Sequence, residues 1–163
     1  MTLTTHSIIA AAVTKPLAAA HPVFIIIAAI ASHYLSDAIP HWDYRLGSIE
    51  DIEDSSKRHW GNNRRAIMKD VQHFALDGFL GAALVLLVIR PVTMQQWIWA
   101  LCAIIGGCLP DFLQGLYMLK LSFLRPIQKF HDLMHAKIRL GPYPRFGIPF
   151  QVLIYMTALY FLF

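Results

Sequence analysis

Two stretches of this chain, Pro91–Pro110 and Gly147–Phe163, carry no charged residue at all. Each is close to the length a helix needs to cross a bilayer, about 20 predominantly apolar residues with about 17 as the lower limit. A third stretch, Pro16–Ser36, holds only histidine among its titratable acids and bases. In hydrocarbon, backbone N–H and C=O groups must find partners within the protein, which strongly favours helices. Only 15% of the residues are charged, against about 25% in an ordinary soluble domain. The chain therefore reads as all-α: an integral membrane helical bundle of about four to five membrane-embedded segments, forming one domain over residues 1–163.

In chain order, Thr4–Val13 reads as an apolar helix too short to span alone, and Thr14-Lys15-Pro16 as a turn. Leu17–Ala38 reads as a full membrane helix, so the two form a hairpin that returns toward the side where His6 began. Residues 40–65 read as a solvated loop with an acidic patch (Glu50, Asp51, Glu53, Asp54) beside a basic one (Lys57, Arg58, Arg64, Arg65). Ala66–Ile89 reads as the next membrane helix and Met94–Leu109 as the one crossing back, closed by Leu109-Pro110-Asp111. Trp97 and Trp99 suit an interfacial aromatic belt. Leu124–Arg139 is amphipathic and basic, and Phe150–Phe163 forms a last apolar helix after a Gly/Pro-rich loop. No basic residue precedes the first apolar run, so a cleaved signal peptide is not expected. Cys102 and Cys108 form no CxxC motif and read as packing residues.

With loops 40–70 and 110–146 on one face of the membrane, twelve of the fourteen basic residues fall there, leaving only Lys15 and Arg90 opposite. The positive-inside rule makes that face cytoplasmic and the location a cell (inner) membrane. The membrane surface accounts for the net charge of +4, and nothing points to nucleic acid.

The chemistry-bearing residues gather on that same side. His33 and Asp37 are four apart, so on a helix they share a face one turn from each other. His73 and Asp77 repeat the spacing, His131 and His135 form a further i, i+4 pair, and Asp111 follows Leu109-Pro110. Ionisable residues inside or at the rim of apolar segments are costly and face partners. The alternative for each alone is packing or helix capping, with Asp111 a possible N-cap. Together His6, His33, Asp37, His73, Asp77, Asp111, His131 and His135 make a mixed His/Asp ligand set for one or two divalent metals. Such a set suits zinc, with manganese or iron as alternatives. His21 and His59 are not expected to be ligands. Arg58, Arg64, Arg65 and Arg139 read as a solvated face toward anionic lipid, or as clamps for a substrate phosphate.

Thr5-His6, the Ser32–Asp37 run SHYLSD, Leu109-Pro110-Asp111 and the late pair His131/His135 resemble the membrane-bound metal-dependent hydrolases, the YdjM-like group. The stretch HYLSDAIPH, His33–His41, is similar to the HxxxD-then-His signature of zinc-dependent phospholipase C and the P1-type nucleases. The first resemblance implies a multi-helix inner-membrane protein with hydrolase activity, and the second a zinc cluster that cleaves phosphoesters. Taken together, the resemblances imply His33, Asp37 and His6 first, then Asp111 and His135. The motif order differs from the YdjM-like group, and His131-Asp132-Leu133-Met134-His135 stands where that group has an HRG run.

The expected function is a metal-dependent hydrolase of the membrane that cleaves a phosphoester, a lipid head group or lipid phosphate, with a metal-activated water. The proton-accepting roles fall to Asp37, Asp77 or His41. The competing reading is a non-enzymatic membrane protein, either a metal carrier or a scaffold whose polar residues lock helices together.

Overall fold

A computed structural model of the chain describes residues 1–50 and 57–163. Of the acidic patch, Asp51, Glu53 and Asp54 lie outside the described residues. Six α-helices are present among the described residues: α1 (Leu3–Thr14), α2 (Pro22–Asp37), α3 (Arg64–Ile89), α4 (Met94–Tyr117), α5 (Arg125–Met134) and α6 (Pro144–Leu162). The short strands β1 (Ile49–Glu50) and β2 (His59–Trp60) pair antiparallel, Ile49 opposite Trp60 and Glu50 opposite His59. By length and composition α3, α4 and α6 can each cross a membrane, and α2 is a shorter apolar helix.

The bundle is built around its shortest apolar helix. α1 packs against α2, α3, α4 and α6, and residues from all its faces are buried, among them Leu3, His6, Ser7, Ile8, Ala11 and Thr14. A helix apolar on every side has no face to give to solvent and belongs inside. Its alanines let the neighbours come close. A methyl on Gly107 of α4 would lie 2.8 Å from Ala10 Cβ, and one on Gly106 2.6 Å from Ala29 Cβ of α2. At the far end Trp99 Nε1 donates to Thr14 Oγ1 over 2.9 Å. Trp99 is thus a core residue rather than a belt residue, whereas Trp97 is 41% exposed. The outer surfaces of the long helices remain apolar, with Phe79 and Leu87 on α3, Ile105 on α4 and Leu153 on α6 all exposed. Such a surface suits lipid better than water.

α5 ends at Met134, short of Arg139, and three further boundaries differ from expectation at prolines, the first being α6, which begins at Pro144 instead of Phe150 and runs through Pro149. α2 begins at Pro22 instead of Leu17, because Pro fits the first helical turn and His21 Nδ1 accepts from Val23 N. The residues before it form a 3₁₀ turn (Lys15–Leu17) and a bend. α2 is therefore about 24 Å long, short of a full span. α4 does not stop at Leu109-Pro110-Asp111 but runs through to Tyr117. Pro110 removes the donor that the Gly106 carbonyl would take, yet packing against α2 and α5 carries the helix on. Asp111 is consequently a mid-helix residue, not an N-cap.

The loop between α2 and α3 is tied to the ends of α3 and α4 that project past α1. Ser48 N and Oγ donate to Asp70 Oδ2 (2.8 and 2.6 Å), and Trp60 Nε1 donates to the Gly115 carbonyl (3.1 Å).

The glycine contacts make a signed prediction. Gly107→Ala forces α1 away from α4 and should cost about 1–3 kcal/mol, seen as a lower melting temperature of the detergent-solubilised protein. At Gly115 none of the described residues lies within 4 Å of the added methyl, so Gly115→Ala should leave the stability unchanged or raise it by up to about 1 kcal/mol of helix propensity.

Candidate metal centre

The i, i+4 pair at the end of α2 points into the bundle: His33 and Asp37 are each 1% exposed, and His33 Nε2 lies 3.3 Å from Asp37 Oδ2. The α1–α2 hairpin lays His6 against them, its ring stacked on His33 with centroids 3.8 Å apart and its Nε2 3.2 Å from Asp37 Oδ1. The extension of α4 past Pro110 brings Asp111, with Oδ1 3.7 Å from His33 Nε2. α5 then supplies His131 from its buried face, with Nε2 3.2 Å from Asp37 Oδ2 and 3.6 Å from Asp111 Oδ1. His33, Asp37, Asp111 and His131 each offer one ligand atom, and these atoms all lie within 4.8 Å of one another. Ligands around tetrahedral zinc sit about 3.4 Å apart at bond lengths of about 2.1 Å, so small side-chain adjustments suffice. Asp37, His41 and His135 form a second such group that shares Asp37.

Hydrogen bonds to the opposite ring nitrogens fix which way the imidazoles present their lone pairs. His33 Nδ1–H donates to the Gly107 carbonyl (2.7 Å), and His41 Nδ1–H to the Ile39 carbonyl (2.7 Å). Ser36 Oγ gives its proton to the His33 carbonyl (2.8 Å), so it accepts from His6 Nδ1–H (3.2 Å). In the neutral rings, each Nε2 is then an acceptor aimed at carboxylate oxygens. His6 Nε2 is buried and has no hydrogen-bond partner among the described residues. Acceptor facing acceptor in a buried space is repulsive, so protons or a cation must sit among these atoms. Second bonds of this kind are what orient and tune metal-ligating histidines. The Gln114 carboxamide lies 3.1 Å from His131 Nδ1; turned so that its oxygen accepts, it frees His131 Nε2 in the same way.

The second group differs because it already faces a cation. The Met1 amine lies 3.1 Å from Asp37 Oδ1, 2.8 Å from His41 Nε2 and 2.8 Å from Asp43 Oδ1. Burial lowers its pKa, but the Asp43, Asp37 and Asp111 carboxylates more than offset that and raise it to about 10. Burial also lowers the His135 pKa, only partly countered by Asp37, which favours the neutral imidazole that metals bind. The four-residue group, whose His33 and His131 lack the direct contact with the amine that His41 makes, is the more open of the two candidate sites. The side chain of Asp43 is 42% exposed and marks the side from which the cluster opens.

The structure gathers His6, His33, Asp37, His41, Asp111, His131 and His135. It does not gather His73 and Asp77. His73 is exposed on α3, because spacing aligns two residues on one helix face without saying which face turns inward. Asp77 instead accepts from Leu3 N (2.7 Å), Thr4 N (3.2 Å) and Thr4 Oγ1 (2.6 Å), satisfying N–H groups that the first turn of α1 leaves open. That bonding takes it away from a proton-accepting role. Asp43 was missed as a cluster member; its signal was its place two residues after His41. His21 caps α2 and His59 lies 3.5 Å from Glu50, both away from the cluster.

No protein-family model matches the chain, and no curated protein or solved structure matches it.

The split between the two HxxxD pairs can be tested by thermal unfolding in detergent. Asp77→Ala strands the part-buried Leu3 and Thr4 donors and should cost about 1–3 kcal/mol. His73→Ala, at an exposed position, should stay within about 0.5 kcal/mol of the parent.

Proposed function

We propose that this chain is a membrane metal-dependent hydrolase that cleaves a phosphoester of a lipid at the membrane interface. The observation that carries the reading is the buried convergence of His33, Asp37, Asp111 and His131, with the unpartnered His6 Nε2 aimed at the same carboxylates. The donor set of imidazole and carboxylate suits zinc, with manganese or iron as alternatives. A divalent metal held by those four residues would supply an activated water and polarise a phosphoryl oxygen.

The remaining residues have roles that follow from their contacts. Gly107 and Gln114 orient His33 and His131. His41, fixed by the Ile39 carbonyl, holds its buried Nε2 between the Met1 amine and Asp43, where a proton can pass to it from the amine. Asp37 belongs to both groups and holds them at a fixed separation. The lipid substrate is favoured by position. The cluster lies where the apolar lengths of α3 and α4 give way to polar extensions. Basic residues crowd that end of the chain, and the positive-inside rule makes it cytoplasmic. All the donors lie at one end of the bundle, which disfavours a carrier, since a carrier needs ligands at several depths.

Elemental analysis of the detergent-purified protein tests the site, with the His33→Ala/Asp37→Ala double variant beside it. One or two equivalents of metal, lost in the variant together with release of phosphate or head group from lipid vesicles, is the expected result. A folded protein that takes up no zinc, manganese or iron would overturn the proposal and favour the scaffold reading. Gln114→Ala should weaken metal affinity about 10- to 100-fold without abolishing it, measured by competition with a chelator.

A further inference from the structure

α5 presents a second surface, facing away from the cluster. Successive helical residues are turned by about 100°, which places Gln128 and His131 on the inward side, and both are buried. The outward side divides lengthwise. One edge carries Ile127, Phe130 and Leu133, which are 38%, 48% and 80% exposed, Phe130 resting edge-on against Tyr34 of α2 with centroids 4.8 Å apart, and Phe123 in the 3₁₀ turn before the helix is 73% exposed. The other edge carries Arg125 and Lys129, both exposed. Exposed Lys137 and Arg139 follow, and exposed Lys120 precedes. Asp132 does not dilute this charge: it accepts from Gln128 Nε2 (3.1 Å) and faces Arg58 (3.9 Å) at the inner margin. A shallow recess of about 540 Å³ lies on the basic edge, with Ser122, Arg125 and Lys129 among its lining residues.

An apolar edge beside a basic edge is the pattern of a helix lying in the membrane–water interface, its apolar side among acyl chains and its cations at anionic head groups. The position agrees, because α5 follows membrane-length α4 after a short connection that ends in the 3₁₀ turn Ser122–Leu124. We propose that the outward face of α5, with the turn before it, is a docking surface for anionic lipid head groups. The lipid surface holds the helix in place, and with it His131 on the opposite face. This rests on α3, α4 and α6 spanning a membrane and not on the hydrolase reading.

The test is hydrogen–deuterium exchange of the full chain in nanodiscs of phosphatidylcholine, with and without phosphatidylglycerol. The amides of 125–134 should exchange more slowly in the anionic discs, and molar salt should remove the difference. In Arg125→Gln and Lys129→Gln variants the protection should fall about five-fold for each cation removed, while exchange in α4 stays unchanged as the control for folding. Equal exchange of α5 in the two kinds of disc would overturn the proposal. So would full protection in the double Gln variant, or protection produced in phosphatidylcholine discs by inorganic phosphate alone.

Discussion

The close approach of three helices at Gly106 and Gly107 is the constraint on which the rest of the structure depends. With no side chains there, α4 takes the alanines of α1 on one side and those of α2 on the other. That contact closes the α1–α2 hairpin tightly enough to stack His6 on His33. It also exposes the Gly107 carbonyl to His33 Nδ1. One stretch of backbone thus sets both the spacing of the helices and the direction in which an imidazole presents its lone pair. Larger residues at these positions would be packing errors first, and would displace the donors as a direct result.

Much of this architecture was legible from the chain, because uncharged blocks of membrane length have few ways to satisfy their backbone. The helices, the hairpin and the gathering of His6, His33, Asp37, Asp111, His131 and His135 at one end follow from where the apolar runs stop. Proline was the recurrent source of error, and for a physical reason. Its local effect is to start or break a helix, as at Pro22, but tertiary packing can carry a helix through it, as at Pro110. The HxxxD spacing was ambiguous in a different way. At His33 it faces the core and at His73 it faces out, a distinction set by neighbouring helices and invisible to spacing. Asp77 shows the remaining difficulty: a carboxylate in an apolar helix does signal a partner, but here the partner is the open end of α1.

The electrostatics of the cluster follow from crowding like groups in a poorly solvated space. Asp37 faces four imidazoles and an amine, and no arrangement of neutral rings satisfies every acceptor. Positive charge is therefore part of the fold at this point, whether it arrives as protons, as the Met1 ammonium or as a metal. The loop residues that close the open side, His41 and Asp43, lie directly after Pro40, which ends the helical path and turns the chain back over the cluster.

Asp37 gives one oxygen toward His33 and His131 and the other toward His41 and the Met1 amine. Two binding events that share a carboxylate cannot be independent. Whatever occupies the first group alters the affinity of the second by some factor, and thermodynamic reciprocity requires the second to alter the first by the same factor. The centre is therefore one linked unit, in which any cation taken up by one group adjusts the affinity of the other.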